Sequence, residues 1–285
     1  MSNLAVEDKY EAWVGREEAR SDRINESAVQ AMAATLDLES APGAGDPLPP
    51  GWQWLFFNPA VRRSELGVDG HPARGGFLPP ITLPRRMWAG SRIRYLADLS
   101  VASEATRRSK ILKVQNKVGK SGALCFVTVE HTTSYGSTPC IVEEQDLVYR
   151  EANQPGASSS PALKRYEGEA QWSCHFVADT TLLFRYSALT FNGHRIHYDQ
   201  AYARNEEGYP GLVVHGPLTA TLLQQFALNH GGGRRLTSFS FRGVNPLFVD
   251  RAFQLEGREE DGSTLSVWAR GPEGELAMSA TARFR

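Results

Sequence analysis

The chain has 285 residues, 41% of them hydrophobic and 10% aromatic, enough for a sizeable core in one large domain or two of about 100–150 residues. Its 31 Lys and Arg against 32 Asp and Glu leave a formal net charge of -1, which excludes a global field recruiting nucleic acid or a membrane surface. No run approaches the ~18 apolar residues of a membrane span. The first residues, MSNLAVEDKYEAW, are acidic where a targeting peptide would be basic or apolar. Cys125, Cys140 and Cys174 form neither a CxxC pair nor a disulfide framework; they read as small hydrophobes in a reducing compartment, and a cytoplasmic location is expected.

Residues 24–38 space Ile24, Val29, Met32 and Leu36 as on one face of a short helix. A Pro- and Gly-rich connector runs from Ala41 to Pro50. The stretch from Gly51 to Met87, with Trp52, Trp54, Phe56 and Phe57, has mixed periodicity and yields no assignment. From Trp88 the pattern clears: Ile93, Tyr95, Ala97 and Leu99 alternate with Arg92, Arg94 and Asp98 as in a half-buried strand. Strands follow at about 109–118 and 123–132, joined by a hairpin at 117–122. The segment 151–163 (EANQPGASSSPAL) reads as a linker. Beyond it, Thr219 to His230 is apolar over most of its surface, so a buried helix is expected. Pro217 lies at its first turn and Gly231-Gly232-Gly233 ends it. Three strands follow, around Phe239 and Phe241, Leu265 and Val267, and Leu276 to Phe284, with turns at Asp261-Gly262 and Glu273-Gly274. A buried helix followed by an antiparallel meander is an α+β unit. The strand order at 88–132 resembles that at 237–284, which suggests two related units, 1–160 and 161–285.

The chemistry is concentrated in Phe184 to Leu218, FRYSALTFNGHRIHYDQAYARNEEGYPGLVVHGPL, which holds three of the seven histidines directly before the buried helix. Here the chain resembles the MaoC-like, R-specific enoyl-thioester hydratases and dehydratases of the hot-dog fold. Tyr186, Leu189, Thr190, Ile196, His197 and Ala203 fall in register with that family's motif, as does the step Val214-His215-Gly216 into the helix. Phe191 stands where the motif has Gly, Asn192 replaces its catalytic Asp, His194 replaces Asn and Arg195 replaces Pro. The departing version resembles a subgroup with itaconyl-CoA and mesaconyl-type CoA hydratases and mitochondrial-type hydroxyacyl-thioester dehydratases. That resemblance implies a double hot dog: two antiparallel sheets, each wrapped around a helix, fused in one chain. The N-terminal half would shape the acyl and CoA tunnel and the C-terminal half would carry catalysis.

Hydrating an α,β-unsaturated thioester requires a base to activate water against the β-carbon, a proton for the α-carbon and donors for the enolate oxygen. His197 suits the base, since imidazole exchanges protons near neutrality. The backbone N–H of Gly216 or Leu218 suits the enolate, because a helix N-terminus presents unpaired donors and Pro217 has none. Asn192 carries no proton: it either positions the water or is only the turn residue that Asn192-Gly193 suggests. In the first case His197 works alone, and otherwise His194 or Asp199 supplies the second proton. Tyr186 and Val214 are expected at the substrate. His194 with Asp199 and His215 shows no metal-ligand spacing, so neither metal nor cofactor is expected. Arg185 and Arg195 are solvated or salt-bridged residues in the ordinary reading. In the sharper one Arg195, beside the catalytic histidine, pairs with a free carboxylate on the acyl group. For the CoA phosphates the candidates are Arg85, Arg86, Arg107, Arg108, Lys110, Arg234, Arg235 and Arg242. Of these, Arg234 and Arg235 follow the triple-glycine turn.

The expected activity is an acyl-CoA hydratase for a short branched or dicarboxylic enoyl-CoA. Its rivals are a (3R)-hydroxyacyl-ACP or -CoA dehydratase of fatty-acid synthesis and a non-catalytic acyl-thioester-binding module. The expected partner is the small-molecule thioester, with no nucleic acid or membrane, and self-association into a homo-oligomer is compatible with this reading.

Overall fold

The computed structural model describes residues 8–119, 122–151, 165, 166 and 168–285. Ten strands occur: β1 (Glu17–Arg23), β2 (Arg85–Tyr95), β3 (Glu104–Gly119), β4 (Gly122–Tyr135), β5 (Thr138–Arg150), β6 (Trp172–Val177), β7 (Leu236–Gly243), β8 (Ala252–Asp261), β9 (Thr264–Arg270) and β10 (Leu276–Phe284). Four helices accompany them: α1 (Glu26–Thr35), α2 (Thr180–Leu189), α3 (Gln200–Asn205) and α4 (Gly216–His230).

The two expected antiparallel sheets are fused edge to edge into one, in the order β1-β3-β4-β5-β2-β7-β10-β9-β8-β6. The seam between its halves is the pairing of β2 with β7, from Gly90 opposite Arg242 to Arg94 opposite Ser238. A register shift between Trp88 and Gly90 bends β2 into the seam. A Cβ on Gly90 would overlap the Phe241 carbonyl, so only glycine permits this approach. The expected boundary at 160/161 and nearly all of the expected linker lie outside the described residues.

Helix α4 is the buried element that its apolar surface requires. Leu218, Ala220, Leu223 and Ala227 are fully enclosed, and the helix packs on β7, β8, β9 and β10. It starts three residues earlier than expected, at Gly216, with His215 as N-cap. The N-terminal half departs from the expectation of a second wrapped helix. Among the described residues no long helix lies in its sheet, and α1 packs on α2 instead. A single turn at Trp52–Leu55 takes part in the core, with Trp52, Trp54, Phe56 and Phe57 buried around it. A second cluster, including Ile111, Cys125, Val127 and Tyr149, is packed by Phe77, Leu78 and Leu83 from the chain entering β2.

Strands β5, β6 and β8 and helix α2 were not legible in the sequence. Strand β5 carries Glu143 in its buried run, an unfavourable residue in a strand core unless hydrogen-bonded. Here Trp54 Nε1 donates to Glu143 Oε2 at 2.9 Å and Ser91 Oγ to Oε1 at 2.7 Å, partners that only folding supplies.

Candidate active site at the start of helix α4

The stretch read as a reactive loop is more structured than expected. Helix α2 is capped by Asp179, whose carboxylate accepts from Leu182 N at 2.7 Å. The helix ends at Leu189, and the chain turns through Phe191 at φ 49°. That left-handed backbone is where the resembled motif has glycine, so Phe191 holds a strained conformation beside the site. A single turn at Arg195–His197 follows, then α3, capped by Asp199 accepting from Tyr202 N at 3.0 Å.

His197 is fixed from two sides by the segment entering α4. Its Nδ1 lies 2.7 Å from the Val213 carbonyl, and Val213 N–H donates to Ile196 O at 3.0 Å. A carbonyl only accepts, so Nδ1 carries the proton and Nε2 is left as a bare lone pair. Burial pushes the His197 pKa down to about 4, which keeps the ring neutral and basic at ordinary pH. The ring stacks on His215 with centroids 3.7 Å apart. His215 is fully buried, and its Nε2 lies 2.8 Å from Ser187 Oγ on α2. The imidazole is thereby held at the leading end of α4. There the first helical bond runs from Thr219 N to His215 O, so Gly216 and Leu218 N–H precede it. A Cβ built on Gly216 would meet nothing within 4 Å. That clearance lies at the helix N-terminus, where an enolate oxygen would need its donor.

The sequence reading missed what the N-terminal half contributes. The loop 67–74 crosses onto the motif: Asp69 O accepts from Arg195 N at 2.9 Å and Val68 O from Arg195 Nη1 at 3.1 Å. Gly70, at φ +85°, packs so closely on Gly193 that a Cβ would overlap its carbonyl. This loop brings His71 to 4.2 Å from His194, centroid to centroid, and His194 lies 5.4 Å from His197. Four of the seven histidines thus form one file, His71, His194, His197 and His215. At its outer end Asp69 accepts from His71 N at 3.0 Å and meets His71 Nδ1 at 3.1 Å. Burial works against the Asp69 carboxylate, but its bonds to His71 outweigh that and hold it ionised below the usual range. Burial, with the charge of His71 adding to it, lowers the His194 pKa to about 2. Asp69, His71 and His194 each offer a donor atom within 4.8 Å of the others. This grouping was not foreseen from spacing; its tightest contact is the Asp69–His71 hydrogen bond, which occupies both groups with each other. A signal was present in Asp69-Gly70-His71-Pro72, a turn dipeptide followed by a histidine.

Asp69, His71, Arg74, Arg86, Arg195 and Tyr202 line a cavity of about 860 Å³. The remaining candidates fall as follows. Asn192 Oδ1 accepts from His194 N at 3.0 Å, so its oxygen closes the turn. Asp199 bonds Arg195 Nη2 at 2.8 Å, and the Arg195 guanidinium stacks over Tyr202 at 4.2 Å, so each already has a charged partner. Tyr186 is enclosed, 4.9 Å from the His215 ring, and Val214 is buried with its N–H on Leu247 O at 2.8 Å. Arg185 turns away toward α1, donating to Ala34 O at 3.5 Å. Arg234 and Arg235 lie past the far end of α4, about 22 Å from Gly216 at 1.5 Å per residue. Arg234 Nε bonds Gly231 O at 2.7 Å, and Arg235 pairs with Asp98 at 3.1 Å. Arg242 lines a separate hollow of about 320 Å³ with Arg92 and Tyr166. None of these three is brought to the histidine file.

The sequence profile of the hydroxyacyl-thioester dehydratase type 2 family matches residues 51–249. That span takes in both the loop at 67–74 and the motif that it touches. The chain belongs to this family. A relative from Chloroflexus aurantiacus, named mesaconyl-C(4)-CoA hydratase, is 48% identical over 271 residues, 95% of this chain and 96% of that protein. The crystal structure of HtdX from Mycobacterium tuberculosis superposes with a TM-score of 0.67 at 16% identity, over 94% of this chain and 100% of that one. A conserved hypothetical protein from the same organism, described as having a double hotdog fold, gives a TM-score of 0.56 at 13% identity over 95% and 96%. The type 2 dehydratase fold of this chain is therefore a double hot dog, with one of its two central helices absent among the described residues. No helix among those residues is long and apolar enough to cross a membrane.

Proposed function

We propose that this family member is a hydro-lyase adding water to a short, branched, dicarboxylic enoyl-CoA, with mesaconyl-C(4)-CoA as the first substrate and itaconyl-CoA as the second. The observation that carries the reading is His197, a neutral imidazole with a bare Nε2 held at the N-terminus of α4. In the forward direction Nε2 takes a proton from water as its oxygen bonds to the β-carbon. The π electrons move onto the thioester oxygen, where the Gly216 N–H at the N-terminus of α4 stabilises the enolate. Collapse of the enolate takes a proton at the α-carbon and returns His197 to its neutral form. That proton comes back from His197 itself, since Asn192 carries none, Asp199 is bound to Arg195 and burial holds the His194 and His215 rings neutral. This chemistry needs a double bond conjugated with the thioester, which mesaconyl-C(4)-CoA supplies. The 48% identity with the Chloroflexus hydratase over almost all of both chains supports the same substrate. The reaction exchanges no electrons, so no redox cofactor enters it. The dispersed cysteines, of which Cys125 and Cys140 are buried thiols, favour the cytoplasm.

The test is a spectrophotometric screen of purified protein against mesaconyl-C(4)-CoA, itaconyl-CoA and crotonyl-CoA, with His197→Ala as control. Loss of enoyl absorbance with the first, abolished in the variant, is expected. Wild-type rates in a folded His197→Ala protein would remove the mechanism. The family description favours a second reading, dehydration of a 3-hydroxyacyl thioester. Faster turnover of long 3-hydroxyacyl-ACP than of any CoA ester would establish it. Tight CoA-ester binding without turnover would leave only the binding module.

A further inference from the structure

From the sequence a free substrate carboxylate would fall to Arg195, but that guanidinium already donates to Asp199 Oδ2 from both Nε at 3.1 Å and Nη2 at 2.8 Å. The cavity beside the histidine file has three other cations in its wall. Arg85 is buried and matched by Glu207 at 3.1 Å, with further bonds to the carbonyls of Glu206 and Glu207. Arg74 is exposed, lies over the Tyr149 ring at 5.5 Å and donates to the carbonyls of Ile81, Leu83 and Pro84. Arg86 is the exception. It is half-buried, lines the cavity and has no ion-pair partner among the described residues. Its polar neighbour is the Tyr149 hydroxyl, which burial pushes up and the Arg86 charge pulls back.

The nearby Asp69 carboxylate feels the Arg86 charge but makes no ion pair with it, and a partly desolvated guanidinium without a paired anion gains when one joins it. Its planar fork fits a carboxylate with two parallel bonds. Its position is also informative, because the charge of Arg86 acts on both the His71 and the His194 rings. In mesaconyl-C(4)-CoA the free carboxylate is attached to the β-carbon that water attacks. An anion gripped at Arg86 therefore lies in the cavity that His71, at the outer end of the histidine file, also lines.

We propose that Arg86 is the specificity-determining residue that binds the free carboxylate of the acyl group. The inference rests on the dicarboxylic-substrate reading above, but its test does not need turnover. Succinyl-CoA and butyryl-CoA have the same chain length and differ in carboxylate against methyl. Calorimetric titration of the wild type should give succinyl-CoA the tighter binding, by about tenfold to a hundredfold, the range of a charge-assisted hydrogen-bonded pair. Arg86→Gln should erase that gap, and Arg86→Lys should keep part of it. Equal weakening of both ligands in Arg86→Gln would assign Arg86 to the CoA phosphates and overturn the proposal, as would an unchanged gap. Should Arg86→Gln lose its cooperative unfolding transition, Arg86→Lys decides: a narrowed gap supports the proposal and an unaltered one overturns it. Preferential succinyl-CoA binding with no hydration of any enoyl-CoA would retire the hydratase reading and leave the carboxylate subsite standing. Hydration of mesaconyl-C(4)-CoA without an Arg86-dependent gap would do the reverse.

Discussion

The two halves of the sheet solve the same packing problem in different ways. The C-terminal half wraps the apolar helix α4, at whose leading end burial keeps His197 neutral and Gly216 leaves open space beside its backbone. The N-terminal half has strands as long as 16 residues but no such helix among the described residues. A short tryptophan turn fills part of the space, and the chain between it and β2 runs out to the partner half as the loop 67–74. A repeat that no longer needs its own helix N-terminus can spend its connecting chain on the other unit's site. The difference teaches that the surroundings of the candidate site are built by both halves, not only by the one that carries the motif.

Experiments can break or sharpen that contrast. The largest effect is expected for His197→Ala: a fall in kcat of about 10²–10⁴, the usual contribution of a positioned acid–base group, measured by enoyl absorbance with circular dichroism confirming the fold. The pH profile comes next. His197 must be neutral to act, and its pKa is near 4, so kcat/KM should stay level from neutral into mildly acidic pH. Below pH 4 it should fall about tenfold per unit. The same shift makes the fold acid-labile. The unfolded ring binds its proton near 6.5 and the folded one near 4, so stability is full above the first value and lost as pH falls toward the second. Urea midpoints between pH 7 and 4 measure it, and a midpoint rising with acidity would contradict the burial of this ring.

Gly70→Ala tests the crossing loop. Its left-handed backbone and its contact with Gly193 predict about 1–3 kcal/mol of lost stability and an activity drop of about tenfold or more from a displaced His71. Gly274→Ala is the control, with φ +83° but nothing within 4 Å of its Cβ; it should show the strain without the loss of rate. Normal kinetics in Gly70→Ala would return catalysis to the C-terminal half alone. Ser187→Ala should lower stability by about 1–3 kcal/mol, because it leaves the enclosed Nε2 of His215 unpaired. Thermal or urea unfolding reads this directly. The smallest effect is expected for Arg235→Ala. Its exposed pair with Asp98 contributes about 0–1 kcal/mol, and an unchanged KM for CoA esters would separate it from substrate binding.

The sequence by itself determined the elements with a strong period and the local chemistry of the motif. The apolar surface of α4, the alternation along β7 and β10, and the residues His197 and Gly216 at one helix entrance could be read because each depends on neighbours a few positions away. Charged strands such as β5 and β8 were hidden, since Glu143 and Glu256 are tolerated only through distant partners: Trp54 and Ser91 for the first, Trp268 and Arg270 for the second. Tertiary structure alone decided that the two units share one sheet and that Asp69, His71 and Arg86 are brought to the His194 side of the motif. These residues lie about 100 positions or more before the motif, in a stretch without clear periodicity. Their meeting depends on the β2–β7 seam and on two glycines, Gly70 and Gly193, whose backbones touch. Spacing along a chain carries no record of such contacts, because the packing that creates them exists only after the chain has closed on itself.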